Sequence, residues 1–419
     1  MLGRRDGTCQ GARALLILLD FQTWATARPW TYSASYAVQE GLAANGVECV
    51  TVPAIAEHGC ATPASWVYHA KKALKGQRFD QVWLWLIHTP LDQSTLEWVG
   101  ELAPVRIGVL MESLRYDEED YQWAPKLRAR LPELQRQLPY LTHVLTPDER
   151  DAAELGALDG PRVLWWPQMV LERFITPPPG VPIRTQAVFH GTPYGRRQTW
   201  VGHPALRTRL HCASPANPPS PNQRRFDELQ HTAARFLAGG ETVTAAAVNE
   251  YAQALRTVRL AEFRDWMAHL AEWPAIVNLP SLAKFYGGRV FEGVAAGRPV
   301  ISWNMPAHPK NMALLEPGRE CLLFDADRPD DLAAQIDRIL RDPVYAQAMA
   351  RRAQDRVRCC HTAERRVREA LEWVSRGVEP NYGVREQGVV LTSRIAETED
   401  RMDQNAFYVN LFVNQPAWS

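Results

Sequence analysis

The chain has 419 residues, which suits two α/β domains better than a single core. Lys plus Arg and Asp plus Glu both total 47, so the formal net charge is zero. That balance argues against a nucleic-acid-binding protein, whose domain is usually strongly basic. The seven cysteines show no zinc-like spacing, so we expect reduced thiols in a cytoplasmic protein. The apolar run at 15–19 is too short to cross a membrane, and no transmembrane segment is expected.

Strand-like and helix-like patterns alternate through the first part of the chain. Apolar runs predict strands at 14–19, 48–52, 81–87, 105–110 and 143–146, and helical patterns lie between them at 32–45 and 66–74. Short apolar runs separated by helices are typical of a parallel sheet covered on both faces. Residues 176–182 (TPPPGVP) end this alternation, because consecutive prolines favour an extended linker. We therefore predict an N-terminal domain over residues 1–180.

The alternation resumes after the linker. Strands are predicted at 186–190, 275–279, 299–303 and 320–324, with helices at 247–256, 289–296 and 330–340. We predict a second domain over 184–375, and we expect the aromatic segment 376–419 to pack back on the first domain. The proline-rich stretch 213–223 indicates a surface loop. The arginine-rich residues 338–368 are interpreted as a solvated helical face rather than as a membrane or nucleic-acid surface.

The most informative stretch is 275–304, where a predicted strand leads through Gly287 and Gly288 into a helix. Gly297 then suits the end of that helix, and the next strand follows. The start of such a helix presents unpaired backbone N–H groups and a positive dipole, which favour a phosphate or diphosphate. Glu292, one turn into the helix, is of the right type to accept hydrogen bonds from the two hydroxyls of a ribose.

This stretch resembles the nucleotide-sugar half of GT-B glycosyltransferases of family four, and in particular their spore-maturation-protein branch (glycosyl transferases group 1). The family motif E-x7-E, followed by A-x-G-x-P-V, corresponds here to 284–292 followed by 295–300. The second Glu, the loop Gly and the A-x-G-x-P-V block match, whereas Lys284 stands where the family has its first Glu. GTPYGRR (191–197) and EPGRECLLF (316–324) also resemble family elements, in the family's order.

The resemblance implies an α/β chain with the GT-B fold, in which two Rossmann-like domains face each other across a cleft. A nucleotide sugar, with UDP or GDP, would lie on the second domain as a co-substrate, and no other cofactor and no metal is expected. The Asp325 and Asp327 pair is interpreted as part of an ordinary loop rather than as a metal site. The donor-binding residues that the resemblance implies are Gly191, Thr192, Arg196, Arg197, Lys284, Tyr286, Gly287, Gly288, Arg289 and Glu292.

The reaction implied is transfer of a hexose to a glycan, a protein side chain or a small molecule bound on the first domain. The resemblance implies retention at the anomeric carbon. If the reaction inverts instead, a base is needed, and His88 and Glu112 are the candidates because each follows a predicted strand. Asp20 and the loop 22–32 follow the first strand in the same way.

Lys284 leaves alternatives open. A lysine at this position could contact a phosphate or an acidic sugar, or its presence could mark a changed donor or lost activity. The chain could accordingly be a non-catalytic protein that binds a nucleotide sugar or a partner protein. A third possibility is a sugar-nucleotide epimerase, which would form its product without an acceptor.

Overall fold

The computed structural model describes residues 11–20, 35–55, 70–86, 91–177, 180, 182–191, 193–213, 224–225, 228–229 and 244–384. The strands in these ranges are β1 (Arg13–Asp20), β2 (Glu48–Ile55), β3 (Gln81–Trp85), β4 (Val105–Val109), β5 (His143–Thr146), β6 (Arg162–Trp165), β7 (Ala187–His190), β8 (Leu210–Ala213), β9 (Ile276–Asn278), β10 (Val300–Trp303) and β11 (Leu322–Phe324). They form two parallel sheets, in the orders β2-β1-β3-β4-β5-β6 and β11-β10-β9-β7-β8.

Helices lie between and beside the strands. In the described ranges they are α1 (Ala37–Ala44), α2 (Gln93–Leu102), α3 (Glu118–Trp123), α4 (Arg130–Gln137), α5 (Glu149–Gly156), α6 (Arg197–Val201), α7 (Ala245–Leu270), α8 (Gly288–Ala295), α9 (Pro309–Met312), α10 (Pro329–Arg341), α11 (Pro343–Cys360) and α12 (Ala363–Arg376). Several begin at a residue whose side chain accepts a backbone N–H of the first turn, as Asp92 does for α2 and Thr362 for α12.

The first sheet is buried on both faces. Along β1, Leu16 and Leu18 pack with Trp83 on one side, whereas Leu15 and Ile17 join a separate apolar cluster on the other. Successive side chains of a strand point to opposite faces, so a continuous apolar run satisfies both layers. This burial on both faces explains why apolar runs in the sequence predict these strands. The expected α/β fold with two parallel sheets is confirmed.

A single helix, α7, packs against both sheets. Near its start, Val248 belongs to the apolar cluster of the first sheet, and Arg256 further along pairs with Glu40 of α1 at 3.0 Å. Near its end, Phe263 and Leu270 are buried with Ile276 of the second sheet. The sequence predicts only ten residues of this 26-residue helix. The reason is that its apolar side chains pack against the first sheet near its start and against the second sheet near its end.

The chain returns to the first sheet's layer at α12, while most of the segment 376–419 that was expected to pack there lies outside the described residues. Thr362 bridges to Val170, and the indole Nε1 of Trp166 donates to the carbonyl of Arg366 at 3.1 Å. The helix then lies so close to α1 that a Cβ on Gly41 would be 2.6 Å from Cγ2 of Val367. Among the described residues, none of the helices combines the length and apolar character needed to cross a membrane.

Candidate functional site

The turn between β9 and α8 presents the start of a helix to open space. Gly287 is the N-cap of α8, and a side chain added there would meet no atom within 4 Å. The N–H of Val290 turns back to the carbonyl of Gly287 at 3.0 Å, and Gly288 is the first helical residue. A helix start of this kind carries a partial positive charge, so the turn can receive an anionic group.

Glu292 lies one turn into α8 and is only 2% exposed. Its Oε2 accepts a hydrogen bond from Nε1 of Trp266, on α7, at 3.0 Å. The indole therefore fixes the position of the carboxylate. The sequence indicates Glu292 but not Trp266, because the fold, and not the spacing along the chain, brings α7 to this place.

Arg289 and Gly191 meet beside the start of α8. A Cβ on Gly191 would lie 2.8 Å from Nη2 of Arg289 and 2.8 Å from Cζ of Phe189, so only glycine fits there. The guanidinium lies 5.1 Å from the centre of the Phe189 ring. Burial, followed by the neighbouring Arg197, lowers the pKa of Arg289 to about 10. Arg289 is thus still cationic at neutral pH, and the two predicted site residues are brought together.

Arg197 and Tyr286, both predicted as donor ligands, have buried side chains. Arg197 is buried, donates from Nε to the carbonyl of Pro280 at 2.9 Å and lies 4.4 Å from the centre of the Tyr194 ring. Tyr286 is also buried, with its hydroxyl 3.9 Å from the sulfur of Cys321. Both side chains support the loops around the site. Because loop sequences have no periodicity, they do not indicate which of their side chains are buried.

Lys284 and Arg196 reach across the cleft to an acidic segment of the first domain, residues 117–120. Nζ of Lys284 is 2.7 Å from Asp117 and 3.5 Å from Asp120. Arg196 lies 3.8 Å from Glu119 and also pairs with Asp327. The two predicted phosphate ligands are therefore paired with carboxylates in this structure. Asp327 takes part in an ion pair with Arg196, and its backbone N–H donates a hydrogen bond to Oδ1 of Asp325 at 3.0 Å.

The structure describes only one of the two predicted catalytic residues, Glu112. His88 and Thr192 lie outside the described residues, as does the loop 22–32, and the side chain of Asp20 is not described. Glu112 forms an ion pair with Arg130, which also contacts the hydroxyl of Tyr116 at 2.5 Å. The carboxylate of Glu112, a predicted candidate base, is therefore paired with Arg130 in this structure.

A Ser–Asp–His arrangement joins the two domains at a place that sequence analysis missed. Asp148 accepts a hydrogen bond from the hydroxyl of Ser113 at 2.5 Å and lies 3.1 Å from Nε2 of His308. Burial alone would raise the pKa of Asp148, but bonds from His308, Ser113 and the Arg150 N–H hold it below its ordinary value. Asp148 follows β5 and His308 follows β10, so the rule applied to His88 and Glu112 could also have found them.

His190, at the carboxyl end of β7, is buried among aromatic rings. Its ring centre is 4.7 Å from that of Trp266 and 4.8 Å from that of His269. Nε2 of His190 has no hydrogen-bond partner among the described residues. Burial, then the positive neighbours His269 and Arg289, lowers the pKa of His190 from 6.5 to about 2. The folded protein therefore holds this imidazole neutral.

This shift predicts a loss of stability in acid. The folded-state pKa of His190 lies below its unfolded value, so its contribution is complete above about pH 6.5 and is lost as the pH falls toward 2. Between pH 7 and pH 5 we expect His190 to cost about 2 kcal/mol. In urea unfolding at both pH values, His190→Phe should lose about that much less stability than the unchanged protein. Equal losses in the two proteins would contradict the assignment.

Two parallel α/β sheets, with the start of α8 facing the cleft between them, are the arrangement of the GT-B fold. Sucrose-phosphate synthase of Thermosynechococcus elongatus has a similar structure, with a TM-score of 0.55 and 15% identity over 86% of this chain and 97% of that one. Anabaena Alr3699/HepE in complex with UDP and glucose gives a TM-score of 0.47 at 12% identity, covering 87% and 99%. A glycosyltransferase from Rickettsia africae ESF-5 gives 0.48 at 10%, covering 88% and 99%. The predicted GT-B fold is confirmed.

Part of the amino-acid sequence also matches a known protein family. Residues 204–372 fit the family described as "Glycosyl transferase-like". This range holds β9 to β11, the start of α8 and most of α12, so the similarity in sequence covers the part of the chain that contains the candidate site. No curated protein matches the chain.

Proposed function

We propose that the protein is a glycosyltransferase that moves a hexose from a UDP- or GDP-sugar to an acceptor held on the first domain. The observation that carries the proposal is the convergence of Gly191, Arg289 and Glu292 with the Gly287–Gly288 turn at the carboxyl ends of β7 and β9. Ligands of open α/β sheets collect at this edge. The family match over 204–372 and the GT-B fold support the same proposal.

In the proposed arrangement the diphosphate lies against the start of α8, and Arg289 compensates its charge. The backbone N–H groups, the helix dipole and the guanidinium stabilise the negative charge that develops on the departing nucleoside diphosphate. The chemistry proposed needs no metal. It proceeds with retention, as in the family-four enzymes of the spore-maturation branch that the chain resembles. Glu292, held by Trp266, binds the ribose.

The test is a panel of UDP, GDP, ADP and CDP, and then of their sugars, in a thermal-shift assay without acceptor. A ligand that binds only the folded state raises its melting temperature, so the preferred base gives the largest shift. We expect UDP or GDP to raise the melting temperature and the matching sugar to be consumed with release of the nucleoside diphosphate. No shift with any nucleotide would overturn the proposal.

One observation favours a second candidate, a non-catalytic nucleotide-sugar-binding protein. Lys284 replaces the first Glu of the family motif and is paired with Asp117 and Asp120. The same panel separates the two functions. Binding without hydrolysis or transfer across donors supports the binding protein. Conversion of the sugar nucleotide into an isomer, without acceptor and without release of the nucleoside diphosphate, identifies an epimerase.

A further inference from the structure

A cavity of about 590 Å³ lies between the two domains, beside the proposed donor site. It is bounded by the segments that follow β4, β5, β10 and β11, and so by the carboxyl ends of strands of both sheets. Its volume is in the range of pockets for small ligands. The acidic and basic side chains that line it, together with the tyrosines Tyr116 and Tyr121, are Arg115, Asp117, Asp148, Arg150, Lys284 and His308.

The two carboxylates in the wall are already engaged by the protein. The side chain of Asp148 is 3% exposed, and its two oxygens are directed to Ser113 and His308. Asp117 is paired with Lys284 at 2.7 Å. Neither carboxylate is therefore available to compensate a further cation.

Two of the three basic side chains also have carboxylate partners. Arg115 is 2.6 Å from Glu154, and Lys284 is paired with Asp117 and Asp120. Arg150 differs from both. Its backbone N–H donates to Asp148 at 2.9 Å, which fixes the start of its side chain at the first turn of α5. Its guanidinium, however, forms no ion pair or hydrogen bond with any residue in the described part of the chain, although the residue is half-buried.

We propose that this cavity receives a substrate group that carries an oxyanion, a carboxylate or a phosphate, and that Arg150 binds it. This inference rests on the proposed function and names its substrate class. A guanidinium presents forked N–H donors that match carboxylate and phosphate oxygens, and partial burial strengthens the pairing. The oxyanion belongs either to the transferred sugar, as in a uronic acid, or to the acceptor.

The donor arm of the test compares matched sugar nucleotides by calorimetry: UDP-glucuronate with UDP-glucose, and GDP-mannuronate with GDP-mannose. If the transferred sugar supplies the oxyanion, the acidic member should bind about tenfold more tightly or better. That ratio should fall to about one in Arg150→Ala and be partly kept in Arg150→Lys. Arg128→Ala removes an exposed arginine outside the cavity, which pairs with Glu118 at 3.1 Å, and should leave the ratio unchanged.

The acceptor arm uses protein saturated with the preferred nucleoside diphosphate. Glycerol 3-phosphate, glycerate and glycerol are titrated in turn, and binding is followed by NMR. If the acceptor supplies the oxyanion, one or both anions should bind, glycerol should not, and Arg150→Ala should weaken anion binding about tenfold. The stronger of the two anions distinguishes a phosphate from a carboxylate.

Each outcome decides the inference. A charge preference in either arm that disappears in Arg150→Ala and persists in Arg128→Ala supports it and identifies the source of the oxyanion. If the nucleotide binds but no pair shows such a preference, the inference is overturned and the proposed function stands. If no nucleotide binds, the proposed function fails and the inference fails with it.

Discussion

Replacing Glu292 by glutamine should lower the affinity for the preferred nucleoside diphosphate by about a hundredfold. Hydrogen bonds to a charged group contribute about 1.5–3 kcal/mol each, and the proposed site places two ribose hydroxyls on this carboxylate. Glutamine keeps the size of the side chain but replaces one acceptor oxygen with a donor. The carboxylate is nearly covered and held by Trp266, so water compensates little for its loss. Calorimetric titration of both proteins measures the change.

Two controls separate ribose binding from a general loss of structure. Glu316→Gln removes a carboxylate that is 44% exposed and pairs with Arg319, and should leave nucleotide affinity unchanged. The 2′,3′-dideoxy nucleotide lacks both hydroxyls, so Glu292→Gln should weaken its binding far less than that of the ribonucleotide. An equal loss for both nucleotides would show that Glu292 acts on the fold rather than on the ribose.

Replacing Lys284 by glutamate, the residue of the family motif, should destabilise the protein by about 2–3 kcal/mol instead of restoring a family-like site. The new carboxylate would face Asp117 and Asp120, which now lie 2.7 Å and 3.5 Å from the ammonium. Two like charges 4 Å apart repel by about 4 kcal/mol near a protein surface, and the exposure of Asp117, at 67%, reduces this value. Urea unfolding gives the difference in free energy.

The repulsion can be separated from the loss of the ion pair. Lys284→Gln removes the attraction alone and should cost no more than about 1 kcal/mol, as partly exposed ion pairs do. Adding Asp120→Lys to Lys284→Glu reverses one pair and should recover most of the lost stability. If Lys284→Glu is as stable as the unchanged protein, the contact between the domains does not depend on this lysine.

The ion pairs of Lys284 also give its presence in the motif a structural basis. The residue that departs from the family pattern is the one that contacts the acidic segment 117–120, while its backbone N–H donates to Ser113 at 2.8 Å. From the sequence alone, Lys284 could contact a phosphate or an acidic sugar, or it could mark a changed donor or lost activity. The ion pairs with the acidic segment of the other domain are a different explanation for a lysine at this position. This explanation requires neither a changed donor nor a loss of activity.

The strands and the helix start of the site could be predicted because their signals are local. Apolar runs identify buried strands, and Gly287, Gly288 and Glu292 lie within six residues of one another. The contacts across the cleft could not be predicted in this way. Asp148 and His308 are 160 positions apart, and no spacing rule links them. Arg197, beside a glycine loop, has the same sequence signature as a phosphate ligand, and only the packing around Phe189 and Tyr194 shows that it is buried.

The helix that packs against both sheets has a thermodynamic consequence. One apolar cluster contains Leu16 of the first sheet, Ile276 of the second sheet and Val290 of α8, and buried residues of α7 belong to it. Domains joined by a small polar contact can unfold one at a time, but a shared apolar core couples their unfolding. We therefore expect the two halves of this protein to unfold as one cooperative unit, and we expect a cut at the proline-rich linker to leave each half with an exposed part of the shared core.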